Sequence, residues 1–300
     1  MSYDLLTVLG PTATGKTNLA TNLAKDFNGE IISADSRQVY KGMDIGTGKD
    51  LFDFQKNKIK YHLIDICEPT EEYNLFRFIN DFRNSFSEIK KKNKLPVLVG
   101  GTGLYLSSVL QSYNLPKIEN SIDELKELHS FSLNDLKNIL INLKPELHNK
   151  TDLSDKERII IAISVELGRK KNSSVQIKLK SLNIGIMLER EEIKRKITSR
   201  LKRRLSEGMI DEIKTLLQKG ISAEKLEYFG LEYKFISQYI NGKLNYNDMF
   251  QNLNSAIYAY AKRQMTWFRK MEREGVKINW FSPVDYFSIK NFVTERFNER

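Results

Sequence analysis

Cysteine is nearly absent from this 300-residue chain, with Cys67 the only one. A lone cysteine closes no intrachain disulfide and builds no cysteine-based metal site. It reads as a small apolar residue at the end of a strand. Histidine is scarce too: His62, His129 and His148 stand far apart and show no ligand spacing. No run of about 18 apolar residues is present to cross a membrane. The opening Met1-Ser2-Tyr3-Asp4 leads straight into a short apolar stretch with no basic flank or cleavage site, so a cytoplasmic protein is expected. What the chain has in quantity is charge. Charged residues make up 29% and apolar residues 40%, the balance of a soluble globular protein. The net charge of +10 favours a polyanionic partner, nucleic acid first.

Apolar runs at 4–9, 30–35, 61–66 and 95–99 read as strands. The stretch 75–92 carries Leu75, Phe78, Ile79, Phe82, Phe86 and Ile89 at helical spacing. Strands alternating with helices predict a parallel, doubly wound α/β sheet. From 113 to 183 the composition shifts to Lys, Asn, Leu and Glu with helical stretches, which predicts an inserted helical domain. A return strand at 183–188, several helices and a last strand at 276–281 complete a core of 1–112 plus 184–300.

Gly10-Pro11-Thr12-Ala13-Thr14-Gly15-Lys16-Thr17 has the spacing G-x-x-x-x-G-K-[ST], after a strand and before a helix. Such a loop turns its backbone N–H groups inward, and the helix N-terminus adds positive potential, so a diphosphate fits there. Lys16 supplies a mobile positive charge and the Thr17 hydroxyl a ligand for Mg²⁺. The core is thus expected to be P-loop NTPase-like. The loop alone leaves a kinase or ATPase open, with Asp65 or Asp35 as the second Mg²⁺ carboxylate. In an open α/β sheet ligands sit beyond the carboxyl ends of strands, where Asp35 falls, and a carboxylate there can act as a general base.

Four blocks then carry a resemblance. They are residues 10–17, the run Ile32-Ser33-Ala34-Asp35-Ser36-Arg37-Gln38-Val39-Tyr40 continuing to Thr47, the turn Val99-Gly100-Gly101-Thr102-Gly103-Leu104-Tyr105, and Lys262-Arg263-Gln264-Met265-Thr266-Trp267-Phe268-Arg269. In that order they resemble the tRNA dimethylallyltransferase family. The resemblance implies that the loop, through Gly10, Thr12, Ala13, Thr14, Gly15, Lys16 and Thr17, holds dimethylallyl diphosphate with Mg²⁺ in place of ATP. It implies Asp35 as general base, Thr102 as a catalytic hydroxyl and Arg200 against the leaving group. Asp35, Ser36, Arg37 and Gln38 match the stretch against a flipped adenine next to the anticodon. Arg158, Lys262, Arg263 and Arg269 match tRNA contacts. The implied partners are dimethylallyl diphosphate and the anticodon arm of tRNA, met by a monomer without membrane attachment.

Basic residues crowd Arg190 to Arg204, where Glu191–Arg195 and Glu192–Lys196 have the spacing of i,i+4 surface pairs. The group as a whole suits a phosphate backbone. Tyr260 and Trp267 read as core residues. The chain departs from the family where Gly230-Leu231-Glu232-Tyr233 replaces a Gly-Tyr-Arg-Gln run, and where Ile257-Tyr258 replaces a Thr-Arg pair. Near Arg158 a second arginine gives way within Ile159-Ile160-Ile161. These changes fall on expected tRNA contacts, while the catalytic blocks are intact.

Overall fold

The structure is a computed structural model that describes residues 3–111, 128, 130–143, 156, 159–160, 162–163, 179–282 and 285–299. The chain divides into two compact units, Met1–Gln111 with Leu179–Arg300, and Ser112–Lys178. In the larger unit the strands are β1 (Leu5–Leu9), β2 (Gly29–Ala34), β3 (Tyr61–His62), β4 (Leu95–Gly100), β5 (Ser181–Ile186) and β6 (Asn279–Phe281). They form one parallel sheet in the order β3-β2-β4-β1-β5-β6. β1, β2 and β4 are buried throughout, as expected of strands covered by helices on both faces.

The helices of this unit are α1 (Lys16–Asp26), α2 (Leu51–Asn57), α3 (Leu75–Lys91) and α4 (Gly103–Leu110). After the insertion come α6 (Arg190–Ser206), α7 (Met209–Gln218), α8 (Ala223–Phe229), α9 (Leu231–Ile240), α10 (Tyr246–Arg273) and α11 (Tyr286–Asn298). One core joins Leu6, Val8, Ile31, Val97 and Ile184 of the strands to Leu19, Leu23, Ile289 and Val293 of α1 and α11. Two strands depart from their apolar runs, one in length and one in position. β3 stops at His62 because Leu63 and Asp65 adopt φ of 64° and 56°, which breaks the extended repeat. The return strand spans Ser181–Ile186, two residues earlier than the sequence predicts, and its register pairs Gly185 with Leu9. The small unit holds α5 (Leu133–Leu143), whose Leu136 and Leu140 are buried with Leu128, Ile159, Ile160 and Ile163. Among the described residues no helix is long and apolar enough to cross a membrane.

Register is what builds the site. Gly100 pairs with Leu9 on one side and with Ala34 on the other. The loops that begin at Gly10, Asp35 and Gly101 therefore leave side by side from one edge of the sheet. Glycine is required at 100, where a Cβ would lie 2.3 Å from the Ala34 carbonyl oxygen.

Candidate active site

The three loops open into a cavity of 970 Å³ whose floor includes Thr12, Ala13, Gly15, Lys16 and Thr17. Ala13 (φ 64°) and Gly15 (φ 82°) adopt the left-handed conformation that lets the loop curl. Lys16 Nζ donates to the Pro11 carbonyl at 2.7 Å, and the buried Thr14 hydroxyl donates to the same oxygen at 2.9 Å. Gly10 and Thr14 do not line the cavity; they shape the loop from behind. Arg200 on α6 reaches over it, Nη1 donating to Thr12 Oγ1 at 3.3 Å and Nη2 to Asp50 Oδ2 at 3.1 Å. Burial, and then the nearby Arg200 charge, pull the Lys16 ammonium down to about 8. Asp35 and Asp50 oppose that shift without cancelling it.

On the second loop the Asp35 carboxylate accepts from Arg37 N–H at 2.9 Å, an Asx-type turn that fixes its orientation. Ser36 N–H donates to Thr102 Oγ1 at 3.1 Å, so the second and third loops are stitched together at the two residues expected to act in catalysis. Gln38 Nε2 donates to the Gly48 carbonyl at 3.1 Å, and its Oε1 accepts from Ser33 Oγ at 3.1 Å. Asp35, Ser36, Arg37, Gln38, Thr102, Arg200 and Arg263 all line the cavity with the phosphate loop. Lys262 and Arg269 lie on α10, exposed and outside it. Arg158 lies outside the described residues. Asp65 does not face the cavity; it is paired with the buried Lys49, which also holds Asp44 at 2.5 Å. The kinase alternative loses one of its two candidate metal carboxylates.

A family model described as IPP transferase matches residues 38–271, and one described as isopentenyl transferase matches residues 3–64. The chain belongs to the IPP transferase family. It is 50% identical over 302 residues to a tRNA dimethylallyltransferase 1 of Azobacteroides pseudotrichonymphae, covering 99% of this chain and 97% of that one. A tRNA dimethylallyltransferase 2 of Syntrophotalea carbinolica is 50% identical over 283 residues, or 93% of this chain and 94% of its own. Among solved structures, the tRNA isopentenylpyrophosphate transferase of Bacillus halodurans superposes with a TM-score of 0.72 at 32% identity, covering 98% and 97% of the two chains.

In this member of the IPP transferase family several site residues escape a reading of the sequence alone. Gln264 sits on α10, where its Oε1 accepts from Thr12 N–H and its Nε2 donates to the Gly101 carbonyl, both at 2.8 Å. It bolts the first glycine loop to the third, although its block reads as a basic RNA-binding run. Arg204 has side-chain exposure of only 8% and lies 3.6 Å from Glu232; its Nη2 has no hydrogen-bond partner among the described residues. Burial, followed by Arg200, lowers Arg204 to about 10, and burial raises the Glu232 carboxyl against the pull of Arg204. Glu212 on α7 accepts from the amides of Asp44, Ile45 and Gly46 at 2.8, 2.6 and 3.0 Å, and from Tyr233 OH at 2.8 Å. It fixes the loop whose Gly48 carbonyl receives Gln38. Only the long-range fold brings these partners together, so no local motif announces them.

Two expectations are corrected. Tyr260 and Trp267 are not core residues: both line the cavity, and Tyr260 is 36% exposed. Trp267 packs on Gly103 and its Nε1 donates to Ser107 Oγ at 2.7 Å, while Tyr260 presents its hydroxyl to Thr102. On α6, Glu192–Lys196 pairs at 3.4 Å, but Glu191 pairs with Lys194 at 2.8 Å in place of Arg195. The i,i+3 partner is equally a neighbour on a helix surface.

Proposed function

We propose that this protein transfers a dimethylallyl group from dimethylallyl diphosphate to the exocyclic amine of the adenosine that follows the anticodon in tRNA. One observation carries the reading. A phosphate loop, a strand-end carboxylate and a hydroxyl converge on one cavity, in a chain half identical over nearly its whole length to proteins named tRNA dimethylallyltransferase. The diphosphate lies on the amides of residues 12–17 with Lys16 and Arg200 against its oxygens. The amine attacks the allylic carbon, Asp35 takes the amine proton, and diphosphate departs with the electron pair of the broken C–O bond. An exocyclic adenine amine is a poor nucleophile because its lone pair is delocalised into the ring, so proton removal must accompany bond formation. Charge gathers on the leaving oxygen, where the loop amides, Lys16 and Arg200 stabilise it. Thr102, held by Ser36 N–H, positions the reacting groups.

Thr17 lines the cavity together with Asp35 and Asp50, a set of hard oxygen donors. Mg²⁺ favours such donors and keeps several waters, relying on substrate phosphates in place of a closed protein cage. The residues fit it, with Thr17 as the protein ligand. When bound, Mg²⁺ supplies charge neutralisation on the diphosphate. Extruding an adenine costs a few kcal/mol, about the least in an unpaired loop. The insertion, with Arg158, grips the anticodon arm, aided by Lys262, Arg263 and Arg269 on α10; the protein works as a cytoplasmic monomer. Incubation with dimethylallyl diphosphate, Mg²⁺ and unmodified tRNA, followed by nucleoside mass analysis, tests the reading. One dimethylallyl group per tRNA and none on AMP is expected. AMP prenylated as fast as tRNA would refute it.

A further inference from the structure

Tyr228 belongs to no motif read in the sequence, yet it stands at the same cavity. It is the next-to-last residue of α8, and it is 64% exposed, among the most exposed large side chains of the described residues. Its neighbour Phe229 is fully buried, ring to ring with Tyr40 at 4.7 Å and with Tyr233 at 6.5 Å. The helix end is thus anchored by one aromatic while the next one outward is left bare. The Arg37 guanidinium lies over the Tyr228 ring, 5.2 Å from its centroid. Arg37 is itself placed by the Asx turn on Asp35, so Tyr228 is tied through one side chain to the loop that carries the general base. An exposed aromatic face costs hydration unless something covers it. What would cover this one is set by its surroundings: Arg37, Arg203, Arg263, Lys196 and Lys234 line the same cavity.

We infer that Tyr228 is a stacking platform for an unpaired nucleobase flanking the acceptor adenosine, with the Arg37 guanidinium backing the ring. The chemistry is that of single-stranded RNA recognition, in which aromatic faces take bases and neighbouring cations follow the phosphates. An uncharged apolar peptide would use the ring but not the surrounding cations, whereas a single-stranded nucleic acid uses both. The ring is linked to Asp35 through Arg37, so a base stacked on it would hold the chain on one side of the extruded adenosine. Stacking is tolerant of base identity, which assigns Tyr228 to register along the loop and leaves base choice to other groups. The inference rests on the tRNA reading above.

The experiment is a binding cycle on the full-length protein with an anticodon stem-loop RNA and a set of the same RNA carrying one abasic nucleotide at each position flanking the acceptor. Y228F is expected to bind the intact RNA as the wild type does. Y228A and Y228L are expected to bind it roughly 5- to 150-fold more weakly, the range for loss of one base–aromatic stack. One abasic RNA should bind wild type and Y228A alike, which identifies the stacked base. Y228L keeps apolar bulk beside Arg37 without an aromatic face, so equal binding by Y228L and wild type overturns the platform. So does a Y228A defect that persists on every abasic RNA, since that marks a structural loss. Wild-type protein that binds none of these RNAs sinks the tRNA reading itself, whereas wild-type binding matched by Y228A sinks the platform alone.

Discussion

The two halves of the cavity are built by different means. The half proposed to hold the donor is contiguous: residues 10–17 are one loop between β1 and α1, and their backbone curvature is set by Gly15 and by Ala13 in the same stretch. The half proposed to hold the acceptor is assembled. Asp35 and Arg37 follow β2, Thr102 follows β4, Tyr228 lies in the last turn of α8, and Tyr260 and Arg263 lie on α10. A contiguous site needs only local geometry to form. An assembled site depends on several long-range contacts at once, so the loss of one displaces residues drawn from the others.

The largest expected effect probes where the halves meet. Asp35→Asn keeps the shape and the Arg37 N–H bond but cannot take a proton. Binding of diphosphate and of RNA should persist while the single-turnover rate falls about 10²–10⁴-fold, as for loss of a general base. A rate near wild type across a Mg²⁺ series would remove Asp35 from the chemistry. A rate restored by excess Mg²⁺ would give the carboxylate to the metal and so to the donor half.

Gln264→Leu tests whether the donor half is as independent as its sequence implies. The substitution leaves Thr12 N–H and the Gly101 carbonyl without their side-chain partner. Each unsatisfied buried group costs about 1–3 kcal/mol. Denaturant unfolding should show a loss of that order, and diphosphate affinity should fall with it. Unchanged diphosphate affinity would show that the loop holds its shape without α10.

What could be read from the sequence divides along the same line. The strand–loop–helix of residues 5–26 follows from a buried apolar run, a glycine loop and an apolar helix face, each of them local. The adjacency of Asp35 and Thr102 needed the strand order β2-β4-β1, which no spacing encodes, and it became legible only through resemblance. Tyr260 and Trp267 were misassigned because helical spacing on α10 marks a face without saying whether it meets core or cavity. Gln264, Arg204, Glu212 and Tyr228 carry no local signal, since each acts on a partner more than 25 residues away or on open space. The change of composition from 113 lies beside the boundary at Ser112 of the smaller unit, and most of 113–183 falls outside the described residues.

A smaller effect measures how tightly the assembled half is packed. Gly42 and Gly48 both adopt left-handed φ, 69° and 64°, but a Cβ at 42 meets nothing within 4 Å. At 48 it would lie 1.3 Å from Arg204 Nη2 and 2.5 Å from Arg200 Nη2. Gly42→Ala should lose only the backbone term, about 1–2 kcal/mol. Gly48→Ala should lose that and displace two guanidiniums, so its midpoint in denaturant should fall further and its diphosphate affinity should drop. Equal losses in the two variants would mean that the arginines yield freely.

The last test stays within the donor half, where a single charge sets a pH dependence. Lys16 is lowered to about 8 by burial and by Arg200, with Asp35 and Asp50 opposing. In the ligand-free protein the ammonium is therefore expected to lose its charge as pH rises through about 8. A bound diphosphate favours the charged form and raises the value again, so binding above pH 8 must take up a proton. The last phosphate ionisation of dimethylallyl diphosphate, near 6, is by then complete, and Arg204, lowered only to about 10, titrates above this range, so Lys16 is the group that responds between about pH 8 and 9. Diphosphate affinity should therefore hold from pH 7 to 8 and then weaken, by roughly tenfold per unit at most, as pH rises further. Stability of the free protein should move the opposite way. Because the folded value lies below that of an unfolded lysine, the unfolded chain binds more protons between about pH 8 and 10.4, and unfolding becomes less favourable as pH rises through that window. Calorimetry in two buffers of different ionisation enthalpy reads the proton uptake directly. Lys16→Arg should remove both trends between about pH 8 and 9, since a guanidinium stays charged there, leaving only the later response of Arg204 near about 10. An affinity that is flat from pH 7 to 10 in the wild type would mean that Lys16 keeps its charge in the empty loop. The phosphate cradle would then be fully charged before the diphosphate arrives.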